Sequence, residues 1–382
     1  MHIAFLTPEF PHPSCTASGG LGTSIKNLAH SLVKNNMKVS LVIYGQKETK
    51  NFKHEGISFY LIEQKKYKIG GWYFYRKHLQ NYLRMLSNKE NINIIEAADW
   101  TGITAFMKLD VPVIIRLHGS DTYFCALEGR KQKWKNKWFE KLALKNAEDL
   151  ISVSEFTGNK TVELFRINKK FTVIPNGVDI ENFKTSIGKS KSDQLFYFGT
   201  LIRKKGVLEL AEIFNYIVTE NSEIQLILAG RDVIDIKENI SILELFKSKL
   251  SRIALNNFKH LGELNYDEVR KVLRESTVVV LPSFAEAFPM TWLEAMAMEK
   301  ALVTSNIGWA HEIMIDGETG YMVHPREHQL YAKRILKLFQ NEALRREMGT
   351  NARIRIEENF SSEIVVSRNI NFYKSVLKQA IN

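Results

Sequence analysis

The sequence predicts two α/β domains in series, each a largely parallel sheet covered on both faces by helices. Three observations lead there. The chain has 382 residues, 45% of them hydrophobic and 25% charged, enough for two domains with their own cores at a prior of about 150 residues each. Short apolar runs alternate with longer amphipathic stretches throughout. The alternation is interrupted once, by Pro175-Asn176-Gly177 and the polar stretch 180–194, and then restarts.

In the first half, His2–Thr7 reads as a buried strand, followed by a Pro/Gly loop, an amphipathic helix over 23–35 and a second strand over 38–44 closed by Gly45. Further apolar runs at 92–95, 111–117, 150–153 and 171–174 are separated by helical stretches, the pattern of a parallel sheet buried on both faces. Residues 180–194, with Gly188-Lys189-Ser190, read as the linker. The second half repeats the architecture without repeating the sequence, with strands at 195–198, 224–228, 258–261, 278–281 and 301–303. A final helix over 361–381 belongs to neither half by periodicity alone.

Composition removes several function classes. Intrinsic disorder does not fit this apolar content. Pro8 and Glu9 interrupt the opening apolar run before a signal sequence forms, and no stretch approaches 18 apolar residues, so neither a leader nor a membrane span is expected. Cys15 and Cys125 are the only cysteines, too few for a disulfide framework, which points to a reducing, cytoplasmic setting. The net charge is +11. Residues 1–190 carry 28 Lys and Arg against 17 Asp and Glu, and residues 191–382 carry 25 of each. The excess therefore belongs to the first half, as expected for one domain that docks on something anionic.

Two segments carry chemistry. Gly19-Gly20-Leu21-Gly22 lies between a strand and a helix, where backbone amides and the helix dipole hold an anion; a structural turn is the plain alternative. A dinucleotide fingerprint would need glycine at Ile25 and an acid near Gly45 and Gln46. A P-loop would need glycine where Phe183 stands before Gly188-Lys189-Ser190. The richer segment is residues 281–297, LPSFAEAFPMTWLEAMA. A strand ends at Pro282 and a helix starts near Pro289, a favoured first helical residue. Glu286 lies at the carboxyl end of the strand, where open α/β sheets bind ligands, and Glu294 lies about a turn and a half into the helix. The amides of Met290 and Thr291 head that helix and suit a phosphate. A carboxylate accepts from two vicinal hydroxyls, so the pair suits a sugar and a ribose with a diphosphate between them; a solvated helix Glu is the alternative.

Glu286 and Glu294, framed by Pro282-Ser283 and Ala295-Met296-Ala297, resemble the E-x7-E motif of retaining nucleotide-sugar glycosyltransferases of family 4. The Gly19–Gly22 loop, His118-Gly119-Ser120-Asp121, Ser152-Val153-Ser154, Ile174–Asp179, Lys205-Gly206 and Asp316–Gly320 resemble family landmarks in the same order. The resemblance covers nearly the whole chain. It implies a GT-B fold, two Rossmann-like doubly wound domains facing across a cleft. The implied division is residues 1–185, acceptor side, with 361–382 crossing back to it, and residues 186–360, holding the nucleotide sugar. Carried onto this sequence, Glu286 binds donor-sugar hydroxyls, Glu294 the ribose, Lys205 the departing diphosphate, and His118 sits by both sugar and diphosphate. Gly199, Phe288, Met290, Thr291, Gly20 and Gly22 complete the expected donor contacts. A structural His118 is the alternative role. Where many members have Arg after the first glycine of the phosphate clamp, this chain has Thr200; Arg203 either supplies that charge or is a solvated loop cation.

No Asp-x-Asp occurs, so neither metal nor cofactor is expected. The resemblance implies retention by same-face attack, and no carboxylate stands out as a covalent nucleophile. The expected function is a metal-independent hexosyltransferase acting on a glycan or lipid-linked acceptor in bacterial surface polysaccharide or lipopolysaccharide assembly. Nucleotide-sugar epimerisation, phosphorolysis, a non-catalytic partner subunit and a nucleic-acid-binding protein are the rivals. Lys65–Lys68 with Trp72–Lys77, and Arg130–Trp138, mix cations with aromatics, which suits an anionic membrane on the inner face of the cell membrane. Single-stranded nucleic acid would suit the mixture too, but no nucleic-acid module appears and none is expected as a partner. Trp134, Trp138 and Leu142 also lie at the spacing of a helix face that packs on a sheet.

Overall fold

The computed structural model describes residues 1–16, 18–183 and 193–381. Gly188–Ser190 and the expected boundary at 185/186 lie outside the described residues. The chain divides into two compact units, Met1–Gly177 with Ser361–Asn382, and Val178–Phe360.

The first unit has strands β1 His2–Thr7, β2 Lys38–Gln46, β3 Lys50–His54, β4 Ile57–Glu63, β5 Ile94–Ala98, β6 Val113–Leu117, β7 Asp149–Ser152 and β8 Thr172–Val173. They form one sheet in the order β3-β4-β2-β1-β5-β6-β7-β8. All neighbours are parallel except β3 and β4. That hairpin was not expected from the sequence, because β3 is mostly exposed and lysine-bearing, an edge strand that buries no stripe of its own. Its turn, Glu55-Gly56, has positive φ at both residues, matching the twist of paired strands.

Alternate residues of β1 serve opposite faces. Ile3 and Phe5 pack with Ile25, Ala29 and Leu32 of helix 20–34, while Ala4 and Leu6 pack with Leu79, Leu83 and Leu86 of helix 71–90. The last helix, Ser362–Ile381, lies on the first of these faces through Val365, Val366, Tyr373 and Val376. A buried polar group fixes it there. Arg116 of β6 makes a two-pronged pair with Glu96 of β5, at 2.7 and 3.0 Å, and Tyr373 Oη donates to Glu96 Oε2 at 2.7 Å.

The second unit has β9 Gln194–Phe198, β10 Gln225–Ala229, β11 Phe258–His260, β12 Val278–Leu281, β13 Leu302–Thr304 and β14 Tyr321–Met322. Every neighbour is parallel, in the order β11-β10-β9-β12-β13-β14. The order reverses between β9 and β12. In open α/β sheets the crevice outside the carboxyl ends of two such strands is the ligand position.

Candidate active site

Both strands at that reversal end in residues singled out from the sequence. After β9 come Gly199, a short 3-10 turn Arg203–Lys205, Gly206 and helix 207–220. After β12 come Pro282, Ser283 and the loop carrying Glu286. The two loops are laced together: Phe284 N–H donates to Lys204 O at 2.7 Å. Gly206 has φ of 70°, and a Cβ there would overlap the carbonyl of Pro282. Gly199 has φ of 137°, which only glycine adopts without strain. Gly206 lets the turn lie against the Glu286 loop, and Gly199 sets the bend at the end of β9.

The result is a preformed ion pair. Lys205 Nζ stands 3.0 Å from Glu286 Oε1, and Ser283 Oγ donates to the same oxygen at 3.0 Å. Glu294 is buried in helix Met290–Ala297, where its Oε1 accepts from Tyr266 Oη at 2.6 Å. Burial pushes the Glu294 carboxyl up to about 7, against the opposing pull of Tyr266 and Lys205. Pro289 is the N-cap of this helix rather than its first helical residue. The amides of Met290 and Thr291 fall in its first turn, where no intrahelical acceptor exists. The Met290 side chain is buried, and the Phe288 ring packs against Phe360 at 5.5 Å. Phe288 thus presents core packing rather than an open contact surface.

Arg203 has a committed partner. Its guanidinium grips Asp235 at 3.1 and 2.8 Å, and that pairing holds the Asp235 carboxyl down at about 2. In this structure the Arg203 guanidinium is engaged by Asp235 while remaining about a third exposed. Another cation stands one strand over: Leu201 N–H donates to the carbonyl of exposed Arg231, just past β10. Tyr266, Asp235 and Arg231 were not singled out from the sequence, because each pairs with a residue supplied by another segment.

The first unit holds His118, Gly20 and Gly22. Gly19 and Gly22 both donate their N–H to Glu9 Oε1 at 2.8 Å. The glycine loop thus binds an anion that is the chain's own carboxylate, and the Gly22 amide is not open to a donor here. Glu9 sits just past β1 on the same sheet edge, a signal present in the sequence but not read. His118 follows β6, and its N–H donates to Asp99 Oδ1 at 3.0 Å. Burial and the Arg116 charge push the imidazole down to about 3, so His118 is neutral and offers hydrogen bonds rather than charge. Asp99 is buried at the end of β5 and pushed up to about 8 by that burial. Its Oδ2 meets no partner among the described residues. The turn after His118 is braced by Glu140, which accepts from the amides of Asp121 and Thr122 at 3.1 and 3.2 Å.

With this geometry in place, likeness to known proteins becomes decisive. Residues 18–182 match the Glycosyltransferase Family 4 model and residues 179–355 the Glycosyl transferases group 1 model. The chain belongs to the family 4-type glycosyltransferases. It is 26% identical to the N-acetyl-alpha-D-glucosaminyl L-malate synthase of Bacillus anthracis over 97% of each chain. It is 30% identical to the capsular polysaccharide biosynthesis glycosyltransferase CapM of Staphylococcus aureus, over 63% of this chain and 65% of that protein. Among solved structures, Anabaena HepE in complex with UDP superposes with a TM-score of 0.74 at 18% identity, covering 98% of this chain and 100% of that one. That likeness is one of fold, the GT-B fold of glycosyltransferases.

The state of Glu294 in this glycosyltransferase leads to a stability prediction. Its carboxyl ionises near 4.5 when unfolded and about 7 when folded, so the stability tied to its protonated form is full below 4.5 and lost as pH rises through 7. Glu294→Gln removes that loss. The variant should gain on the wild type by up to about 3 kcal/mol between pH 5 and pH 8. Melting both proteins at the two pH values checks it; parallel curves would contradict the buried acid.

Proposed function

We propose that this glycosyltransferase moves a hexose, with retention of configuration, from a nucleoside diphosphate donor to a hydroxyl of a glycan or lipid-linked acceptor. The carrying observation is the Lys205–Glu286 pair at 3.0 Å, set at the sheet's reversal point beside the first turn of helix 290–297. In this reading Glu286 accepts from donor-sugar hydroxyls, and Glu294 from the ribose in place of Tyr266. As the bond from the anomeric carbon to the diphosphate breaks, its electron pair leaves with the diphosphate oxygen. Lys205 and the helix amides stabilise the charge that gathers there. The acceptor oxygen bonds to the same face, and its proton passes to the departing diphosphate. Positive charge comes from the chain itself, so the reaction is proposed to need no metal.

UDP is the proposed nucleotide, supported by its presence in the HepE complex. Surface polysaccharide assembly in the cytoplasm, lipopolysaccharide included, is the proposed setting, supported by the role printed in CapM's name. A thermal-shift screen against UDP, GDP, ADP and their sugar conjugates, without metal, tests the reading. Binding to the folded state raises the midpoint by mass action. One nucleotide family should shift the wild type and fail to shift Glu294→Ala. A protein that turns over the donor with no acceptor present would be an epimerase or hydrolase instead.

A further inference from the structure

The charge excess of the first unit gathers around an aromatic face that the fold builds from two distant segments. Helix Gly71–Glu90 and helix Trp134–Asn146 meet at their amino-terminal ends. Trp72 lies 6.4 Å from Trp138, and Phe106 lies 5.6 Å from Trp72 and 5.4 Å from Trp138. Tyr67 extends the cluster through Phe74 at 5.8 Å. Trp134 and Trp138 do not pack on the sheet, as their spacing allowed; they are 70% and 43% exposed. Trp72 and Phe74 are likewise open, and Ile69 is 84% exposed at the tip of the adjoining loop. Scattered exposed hydrophobics need no explanation, but six large ones on one face do.

The charged residues within the two segments are of one sign, with Glu128, paired to Arg130, and Asp121, which accepts from Gln132 and Asn136, at the border. Residues 64–77 and 129–139 contain no Asp or Glu. Lys65, Lys66 and Lys68 are exposed beside Ile69, and Lys131, Lys133, Lys135 and Lys137 beside Trp134. Arg76 is not part of this surface, because its guanidinium is buried on the carbonyls of Trp72, Thr101 and Gly102. No helix among the described residues is long and apolar enough to cross a membrane.

We propose that the face formed by residues 65–74 and 130–138 docks the enzyme on an anionic lipid bilayer. Trp134, Ile69 and Phe74 enter the interfacial layer, and the seven lysines lie at the level of the lipid phosphates. Tryptophan at the headgroup boundary and lysine stems lying along apolar surface are the usual arrangement there. A single-stranded nucleic acid fits less well, since an aliphatic tip such as Ile69 offers no ring for a base to stack on. The face stands on its own geometry; only its purpose, access to a lipid-linked acceptor, rests on the function proposed above.

Co-sedimentation of the full chain with phosphatidylcholine vesicles, with and without about 30% phosphatidylglycerol, is the test. The wild type should prefer the anionic vesicles by about tenfold or more, less so at high salt, with a blue shift of tryptophan emission. Lys131→Ser/Lys133→Ser/Lys135→Ser/Lys137→Ser should remove most of that preference, at up to about fivefold per lysine. Ile69→Ser/Trp134→Ser should weaken binding about tenfold and lose the blue shift. Both variants change exposed side chains, and an unchanged melting point would confirm their fold. Equal sedimentation of wild type and variants would overturn the proposal. So would binding to oligonucleotides but not vesicles, or a dimer that Trp134→Ser dissolves with vesicle binding unchanged. Nucleotide shifts keep the two readings apart: vesicle failure with the shift intact counts against this face alone.

Discussion

Lys205→Ala is expected to lower kcat by about 10²–10³-fold, with a much smaller rise in KM for the donor. The diphosphate is already charged in the ground state, but its charge grows as the anomeric bond breaks, so a cation held at that point acts mainly on the transition state. On the function proposed above, the fold holds Lys205 at that point. Glu286 Oε1 fixes Lys205 Nζ at 3.0 Å, and the Phe284–Lys204 hydrogen bond at 2.7 Å ties the two loops that carry them. Little reorganisation remains to be made during the reaction. Lys205→Arg should recover only part of the rate, because a planar guanidinium delivers its charge from a different place than a compact ammonium. Steady-state kinetics with saturating acceptor separate the cases. A kcat within threefold of wild type in Lys205→Ala would remove the residue from charge stabilisation and leave it only as a partner of Glu286.

The E-x7-E segment was legible because its chemistry is local: strand, loop and helix succeed one another within seventeen residues, and both carboxylates lie on them. The parallel order of both sheets was legible for a similar reason, since unbroken apolar runs between helical stretches have few other solutions. What escaped depends on pairing across the sequence. Glu9 reaches Gly22, Arg203 reaches Asp235 and Tyr266 reaches Glu294, and no periodicity couples those positions. Arg203 illustrates the cost of that blindness. Read alone, it is a cation near a phosphate site; read with Asp235, its fork is already engaged.

At Trp134 and Trp138 helical spacing also allowed a buried stripe, and the structure turns both outward. A tryptophan pair at i and i+4 ordinarily marks a buried stripe, yet here the buried side of helix 134–146 is carried by Phe139, Glu140, Ala143 and Leu144. The stripe was real but faced outward, and the surrounding lysines were the sequence signal that decided it.

The last helix provides the largest expected stability effect. Periodicity could not assign residues 362–381 to a domain, because the apolar stripe of Val365, Val366, Tyr373 and Val376 names no partner sheet, and the polar cluster of Arg116, Glu96 and Tyr373 that completes the docking joins residues far apart in sequence. Glu96→Ala would leave the Arg116 guanidinium buried without its counter-charge and remove the acceptor of Tyr373 Oη. Stranding one member of a buried pair costs about 3–5 kcal/mol, which should lower the melting point of the first unit by about 10 °C. Removing both charges together is a different matter. Glu96→Leu with Arg116→Met strands no ion and should recover much of that loss. The double variant would also take away the Arg116 charge that adds to burial in holding the His118 imidazole down, so its His118 should titrate at somewhat higher pH than in the wild type. Calorimetry on both variants, with NMR titration of His118 in the double one, would show whether this pair only anchors the helix or also keeps that histidine neutral.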